Sequence, residues 1–97
     1  MLYTVNTSPT SSRSFASLIR VAAKGDPILL LEDGVHAARA GAATEGLVRE
    51  ALAAHPVYAL GPDLAARAIE KIVEGIRIIG YDGFVDLVEK HTVVPWV

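Results

Sequence analysis

The chain alternates short, unbroken apolar runs with longer stretches whose apolar residues recur at helical spacing. The clearest run is Pro27-Ile28-Leu29-Leu30-Leu31, closed by Glu32-Asp33-Gly34. A strand with one wet face alternates apolar and polar residues, whereas four consecutive aliphatic side chains require cover on both faces. This run is therefore expected as a central strand of a parallel sheet. Its carboxyl end falls at Glu32 and Asp33, where open α/β folds place their chemistry. Leu2-Tyr3-Thr4-Val5 and Pro56-Val57-Tyr58-Ala59-Leu60 read as two more strands, Ile76 to Ile79 as a short fourth and Thr92-Val93-Val94 as a fifth. Proline cannot donate to a ladder, so Pro95 puts the fifth strand at an edge or ends it there.

Helical spacing fills the gaps. Phe15, Leu18, Ile19 and Ala22 predict a first helix, with Ser12 or Ser14 as its cap and Lys24-Gly25 as its end. Asp33 is the expected N-cap of a short helix from Gly34 to about Arg39, and Thr44 begins another that buries Leu47, Val48, Ala51 and Leu52. Gly61-Pro62-Asp63 reads as a βα turn. After it, Leu64, Ala65, Ala68, Ile69, Ile72 and Val73 predict a helix closed by Gly75. Asp82 is the expected cap of a last helix carrying Phe84, Val85, Leu87 and Val88. Five strands alternating with helices predict a single domain over residues 1–97. Its class is α/β, a three-layer α/β/α sandwich on a mostly parallel five-stranded sheet with right-handed crossovers.

Composition sharpens the picture at the surface. Of 97 residues, 52% are hydrophobic and 21% charged, and the mean hydropathy is +0.38. So small a body cannot hide that much apolar surface by itself, so a partner chain is expected to cover some of it. The net charge of −2 argues against nucleic acid, which calls for a basic face. No stretch reads as a signal peptide or a membrane span, so a cytoplasmic protein is expected. The chain has no cysteine, which excludes disulfides, thiolate metal sites and covalent carriage of sulfur on a cysteine.

Candidate chemistry is sparse. Glu32, Asp33 and His36 form the tightest polar cluster, and an Asp and a His three residues apart could share a metal ion. A capping Asp, a surface His and a solvated Glu explain the same residues, and three potential ligands without a fourth do not single out a metal site. Ser8, Ser11, Ser12 and Ser14 could offer a nucleophile to His36 or His91, but no Gly-x-Ser-x-Gly elbow is present. Gly80-Tyr81-Asp82-Gly83-Phe84 could present amides to a phosphate, yet it fits no phosphate-loop pattern and reads as a tight βα turn. His55 and His91 sit at helix exits, as capping or surface residues. Trp96 suits either core packing or a subunit contact, and Val93, Val94, Trp96 and Val97 together form an expected interface tail. No catalytic residue, cofactor or metal is expected.

Four segments, taken in order, resemble the DsrH/TusB family. They are Leu2-Tyr3-Thr4-Val5-Asn6-Thr7-Ser8-Pro9, Leu29-Leu30-Leu31-Glu32-Asp33-Gly34-Val35-His36-Ala37-Ala38, Tyr58-Ala59-Leu60-Gly61-Pro62-Asp63-Leu64-Ala65-Ala66-Arg67, and Tyr81-Asp82-Gly83-Phe84-Val85-Asp86-Leu87, followed by the closing Val94-Pro95-Trp96. The resemblance spans the whole chain and implies a DsrE-like fold and a subunit of a sulfur relay. Such a subunit works in a hetero-hexamer with DsrE/TusD-like and DsrF/TusC-like sister chains, and a DsrC/TusE-like protein is a candidate sulfur acceptor. The relay serves either sulfur oxidation or 2-thiolation of the tRNA wobble uridine, and the opening segment and Leu60-Gly61-Pro62-Asp63-Leu64 lean toward the DsrH side. Some DsrH-type members carry a cysteine in the first helix, where this chain has Leu18, so no catalytic residue carries across. The expected role is a non-catalytic subunit supporting persulfide transfer by a cysteine-bearing DsrE/TusD-type partner. Two alternatives stand beside it: a free-standing homo-oligomeric DsrH-like interaction or regulatory protein, and a small enzyme or metal protein built on Glu32, Asp33 and His36.

Overall fold

A computed structural model describes residues 1–8 and 14–96, the side chain of Ser14 excepted. Ser11, Ser12 and Val97 lie outside the described residues. The element order is β1 (Leu2–Val5), α1 (Ser14–Val21), β2 (Ile28–Leu30), a 3-10 helix (Glu32–Ala38), α2 (Glu45–Ala54), β3 (Val57–Leu60), α3 (Gly61–Ala66), β4 (Arg77–Ile79), α4 (Tyr81–Lys90) and β5 (Val93–Pro95). The five strands form one sheet in the order β4-β3-β2-β1-β5. Every pairing is parallel. The aliphatic run at Pro27–Leu31 is the middle strand, with Ile28, Leu29 and Leu30 fully buried. β5 lies at an edge and stops at Pro95, as that residue's missing donor requires.

Register divides the strands into two faces, because successive side chains point to opposite sides. Tyr3 and Val5 pair with Ile28 and Leu30, which in turn pair with Val57 and Ala59. These six join Phe15 and Leu18 of α1, Val48 and Ala51 of α2, and Val35, Ala37 and Ala38 of the 3-10 helix in the main core. Leu2, Leu29 and Leu60 point the other way and are also buried. The crossover from β4 at one edge to β5 at the other takes α4 over that second face. Gly83 of α4 lies so close to Ile79 that a Cβ there would come within 2.9 Å of the Ile79 Cβ.

Three expectations are corrected. The helix predicted through Val73 ends at Ala66. The Ala68 N–H donates to Ala65 O and the Ile69 N–H to Leu64 O, with Ala68 left-handed at φ 53°. This is a Schellman stop with alanine in the glycine position. Beyond it the chain is extended, and Arg39 and Ile72 form an antiparallel bridge. The Val73 N–H donates to Ala38 O, and the Ala40 N–H to Lys71 O. Ile69 and Val73 are buried as expected, but from an extended segment.

The short helix after β2 is a 3-10 helix that begins at Glu32 behind Leu31, without a side-chain cap. Asp33 is therefore not its N-cap; an arginine described below takes its carboxylate. Nor does Asp82 cap α4, whose N-cap is Gly80. His55 is the C-cap of α2, one of the two roles expected at that helix exit; it is buried, 5% exposed, and its Nδ1 lies 3.0 Å from the Asp26 carbonyl oxygen. Since a carbonyl can only accept, Nδ1 carries the proton. The Asp26 carboxylate receives the Ala23 N–H and the chain's terminal ammonium, each at 3.2 Å, tying the start of the chain to this loop.

Candidate functional site at the carboxyl end of the sheet

The carboxyl ends of β1, β2 and β3 meet around a tightly held corner. The Leu31 N–H donates to Val5 O at 3.1 Å, and the Gly34 N–H returns to Leu31 O at 2.9 Å. Between them Glu32 takes a left-handed φ of 51°, a conformation that costs a residue with a Cβ roughly 1–2 kcal/mol. Gly34 is pressed against the Val5 carbonyl, and a Cβ there would fall inside that oxygen's contact radius. Only glycine fits the position.

Two contacts from the chain after β3 hold the corner. The Glu32 N–H donates to Asp63 Oδ2 at 2.6 Å. Arg67 sets Nε and Nη2 each 3.0 Å from Asp33 Oδ1, and its Nη1 donates to the Asp63 carbonyl oxygen at 3.3 Å. The Glu32-Asp33-Gly34 and Asp63–Arg67 segments, which the sequence keeps apart, are thus joined at one place. Arg67 and Asp63 were missed as site residues, because periodicity is a local signal and their contacts are long-range.

Beside the corner, Ser8, Asp33, His36, Arg39, Ala42 and Ala43 line an open cleft of about 520 Å³. Of Glu32, Asp33 and His36, the last two line this cleft. Even so, among the described residues no group of three or more His, Asp or Glu side chains could hold a metal ion. Asp33 gives its carboxylate to Arg67, so it is not poised to orient His36. His91 is the C-cap of α4, before β5. It lies at the amino end of the sheet and cannot serve Ser8, which follows β1 at the opposite end. The Gly80–Phe84 turn opens α4 with an acidic Asp82 in the first helical turn, which disfavours a phosphate there. The Gly41 N–H, 2.8 Å from Glu45 Oε1, and then the Arg49 guanidinium hold the Glu45 carboxyl below its ordinary value.

Of the predicted interface tail, Val94 and Trp96 turn toward the main core. The Trp96 ring meets Tyr3 edge-on, with centroids 5.9 Å apart and planes at 79°. Val93 faces the other side of the sheet and is exposed. Among the described residues, no helix is long and apolar enough to cross a membrane.

An all-parallel five-stranded sheet between helical layers defines an α/β sandwich of the kind found in several solved structures. The ychN protein of E. coli superposes with a TM-score of 0.78 at 15% identity, over 97% of this chain and 95% of that one. A Methanobacterium thermoautotrophicum protein of unknown function gives 0.77 at 16% identity, over 97% and 96%. At these identities the likeness is one of fold. Residues 7–94 match the family described as DsrH like protein. Protein TusB of Serratia proteamaculans is 45% identical over 92 residues, 94% of each chain, and Protein TusB of Escherichia coli K12 is 43% identical over 94 residues, 94% of each. The chain belongs to the DsrH family.

Proposed function

We propose that this protein is a non-catalytic subunit of a cytoplasmic sulfur-relay complex. It supports persulfide transfer by a cysteine-bearing sister chain of the DsrE/TusD type, beside a DsrF/TusC-like chain. The observation that carries this reading is the absence of any cysteine from a chain matched to the DsrH family over residues 7–94. A persulfide needs a thiolate to form on, so this subunit's contribution is to shape and hold the site of another. The relatives named TusB favour 2-thiolation of the tRNA wobble uridine over sulfur oxidation, against the lean of the opening segment toward the DsrH side. The interlocked corner, where Asp63 holds the Glu32 N–H and Arg67 holds the Asp33 carboxylate, supports a scaffolding role.

The test is co-expression with the DsrE/TusD-like and DsrF/TusC-like chains of the same genome, with sulfane sulfur measured on each subunit. The expected result is a complex in which sulfur is carried by the sister's cysteine and transfer fails without this chain. Sulfane sulfur turnover by the isolated chain would refute the reading.

A further inference from the structure

α4 carries a wider apolar sector than the sheet occupies. At roughly 100° per residue, Phe84 and Leu87 share one side of the helix. Tyr81, Val85 and Val88 gather on an adjoining side, about a quarter-turn away. Phe84 and Leu87 are partly buried, whereas Tyr81, Val85 and Val88 are 62%, 50% and 40% exposed. Val93 of β5 adds an exposed side chain on the same sheet face, as its register with Leu2 requires. Next to the exposed stripe, on the side away from Phe84 and Leu87, lie Asp82, Asp86 and Glu89, all exposed. Lys90 lies roughly opposite the stripe; four residues after Asp86, it neighbours that carboxylate and leaves Asp82 and Glu89, which flank the stripe, as the nearer charges.

We propose that this face, the Tyr81–Val85–Val88 stripe with Val93, is the docking surface for a different chain. That chain's own apolar ridge is bordered by lysine or arginine. The inference rests on the sulfur-relay reading and adds the surface and the chemistry of the partner. The commitment to a different chain comes from charge. A two-fold, side-by-side antiparallel pairing of α4 with its own copy sets two rows of Asp82, Asp86 and Glu89 beside each other. Like charges at a contact oppose association. A basic border turns the same row into an attraction that speeds encounter and weakens with salt.

The experiment uses the full chain with the two sister chains named above. In one variant, Val85→Asp with Val88→Asp, both substitutions are at exposed positions and the urea midpoint checks folding. A second, Asp86→Lys with Glu89→Lys, changes only the rim. The expected result is that the first weakens assembly by about 100-fold with the midpoint little changed. The second weakens it by about tenfold and flattens its salt dependence. An intact complex from the first variant would overturn this docking surface while leaving the relay reading in place. A wild-type homodimer dissolved by that variant would make the occupant a second copy and overturn the proposal. Failure of the wild-type chain to bind either sister would instead remove the relay reading.

Discussion

On one side of the sheet, Phe15 and Leu18 of α1 and Val48 and Ala51 of α2 are buried against Tyr3, Val5, Ile28, Leu30, Val57 and Ala59. On the other, α4 runs for ten residues without one buried side chain. Leu2, Leu29 and Leu60 beneath it are as inaccessible as their counterparts on the first face. The difference therefore lies in the helical layer and not in the strands. A layer that shields the sheet yet keeps its own apolar residues wet is half of a contact; Tyr81, Val85, Val88 and Val93 gather on it, whereas Val21 and Ile78 are exposed singly elsewhere. The thick face accounts for the stability of the fold, and the thin face is where association is proposed.

The contrast can be broken first at the corner both faces depend on. Gly34→Ala puts a methyl group into the Val5 carbonyl, where backbone must move. A loss on the order of 4 kcal/mol or more, or failure to fold, is expected in urea titration. Next come matched truncations on the two sides. Leu30→Ala, in the main core, is expected to cost about 3 kcal/mol. Leu87→Ala, on the half-exposed face of α4, should cost on the order of 1 kcal/mol, because less area leaves water there. Equal losses at the two positions would erase the distinction. A smaller effect of opposite sign is expected from Ala68→Gly, which relieves the left-handed φ at the end of α3. Set against glycine's freedom when unfolded, the net gain is about 0.5 kcal/mol in the urea midpoint.

Smallest is a pH effect at Glu45. Its carboxyl is held below the ordinary value by the Gly41 N–H and Arg49. The stabilisation is therefore fully present above the unfolded-state pKa and is lost as pH falls through the lower folded-state one. Comparison of wild type with Glu45→Gln should show a stability difference at neutral pH that closes in acid. A difference that widens in acid would reverse the assigned cause.

How far the sequence carried the fold follows from which signals are local. An unbroken aliphatic run marked β2, β-forming residues marked β1, an apolar run marked β3, and the proline at position 95 marked the edge at β5, because each reports on its own strand. The periodicity of Leu64, Ala65, Ala68, Ile69, Ile72 and Val73 found Leu64, Ile69 and Val73 buried, but Ala65 and Ala68 are exposed and the helix stops before Ile69. Its stop signal was an alanine doing a glycine's work, and the extended segment was selected by residues 38–40, more than thirty positions earlier. The candidate site was half legible. Glu32, Asp33 and His36 were found by proximity, whereas Asp63 and Arg67 became visible only when the chain brought them to the end of β2. His55 was placed at the exit of α2, where it is the C-cap, but its partner, the carbonyl of Asp26, was not legible for the same reason.

The most direct test of the two-faced account is amide hydrogen exchange, measured on the full chain alone and in complex with the sister chains. Alone, α4 should exchange faster than α2, because exposed helices open more readily than buried ones. In the complex, protection should rise across residues 81–93 and stay unchanged in α1 and α2. Protection gained over α1 and α2, with α4 still exchanging freely, would contradict it.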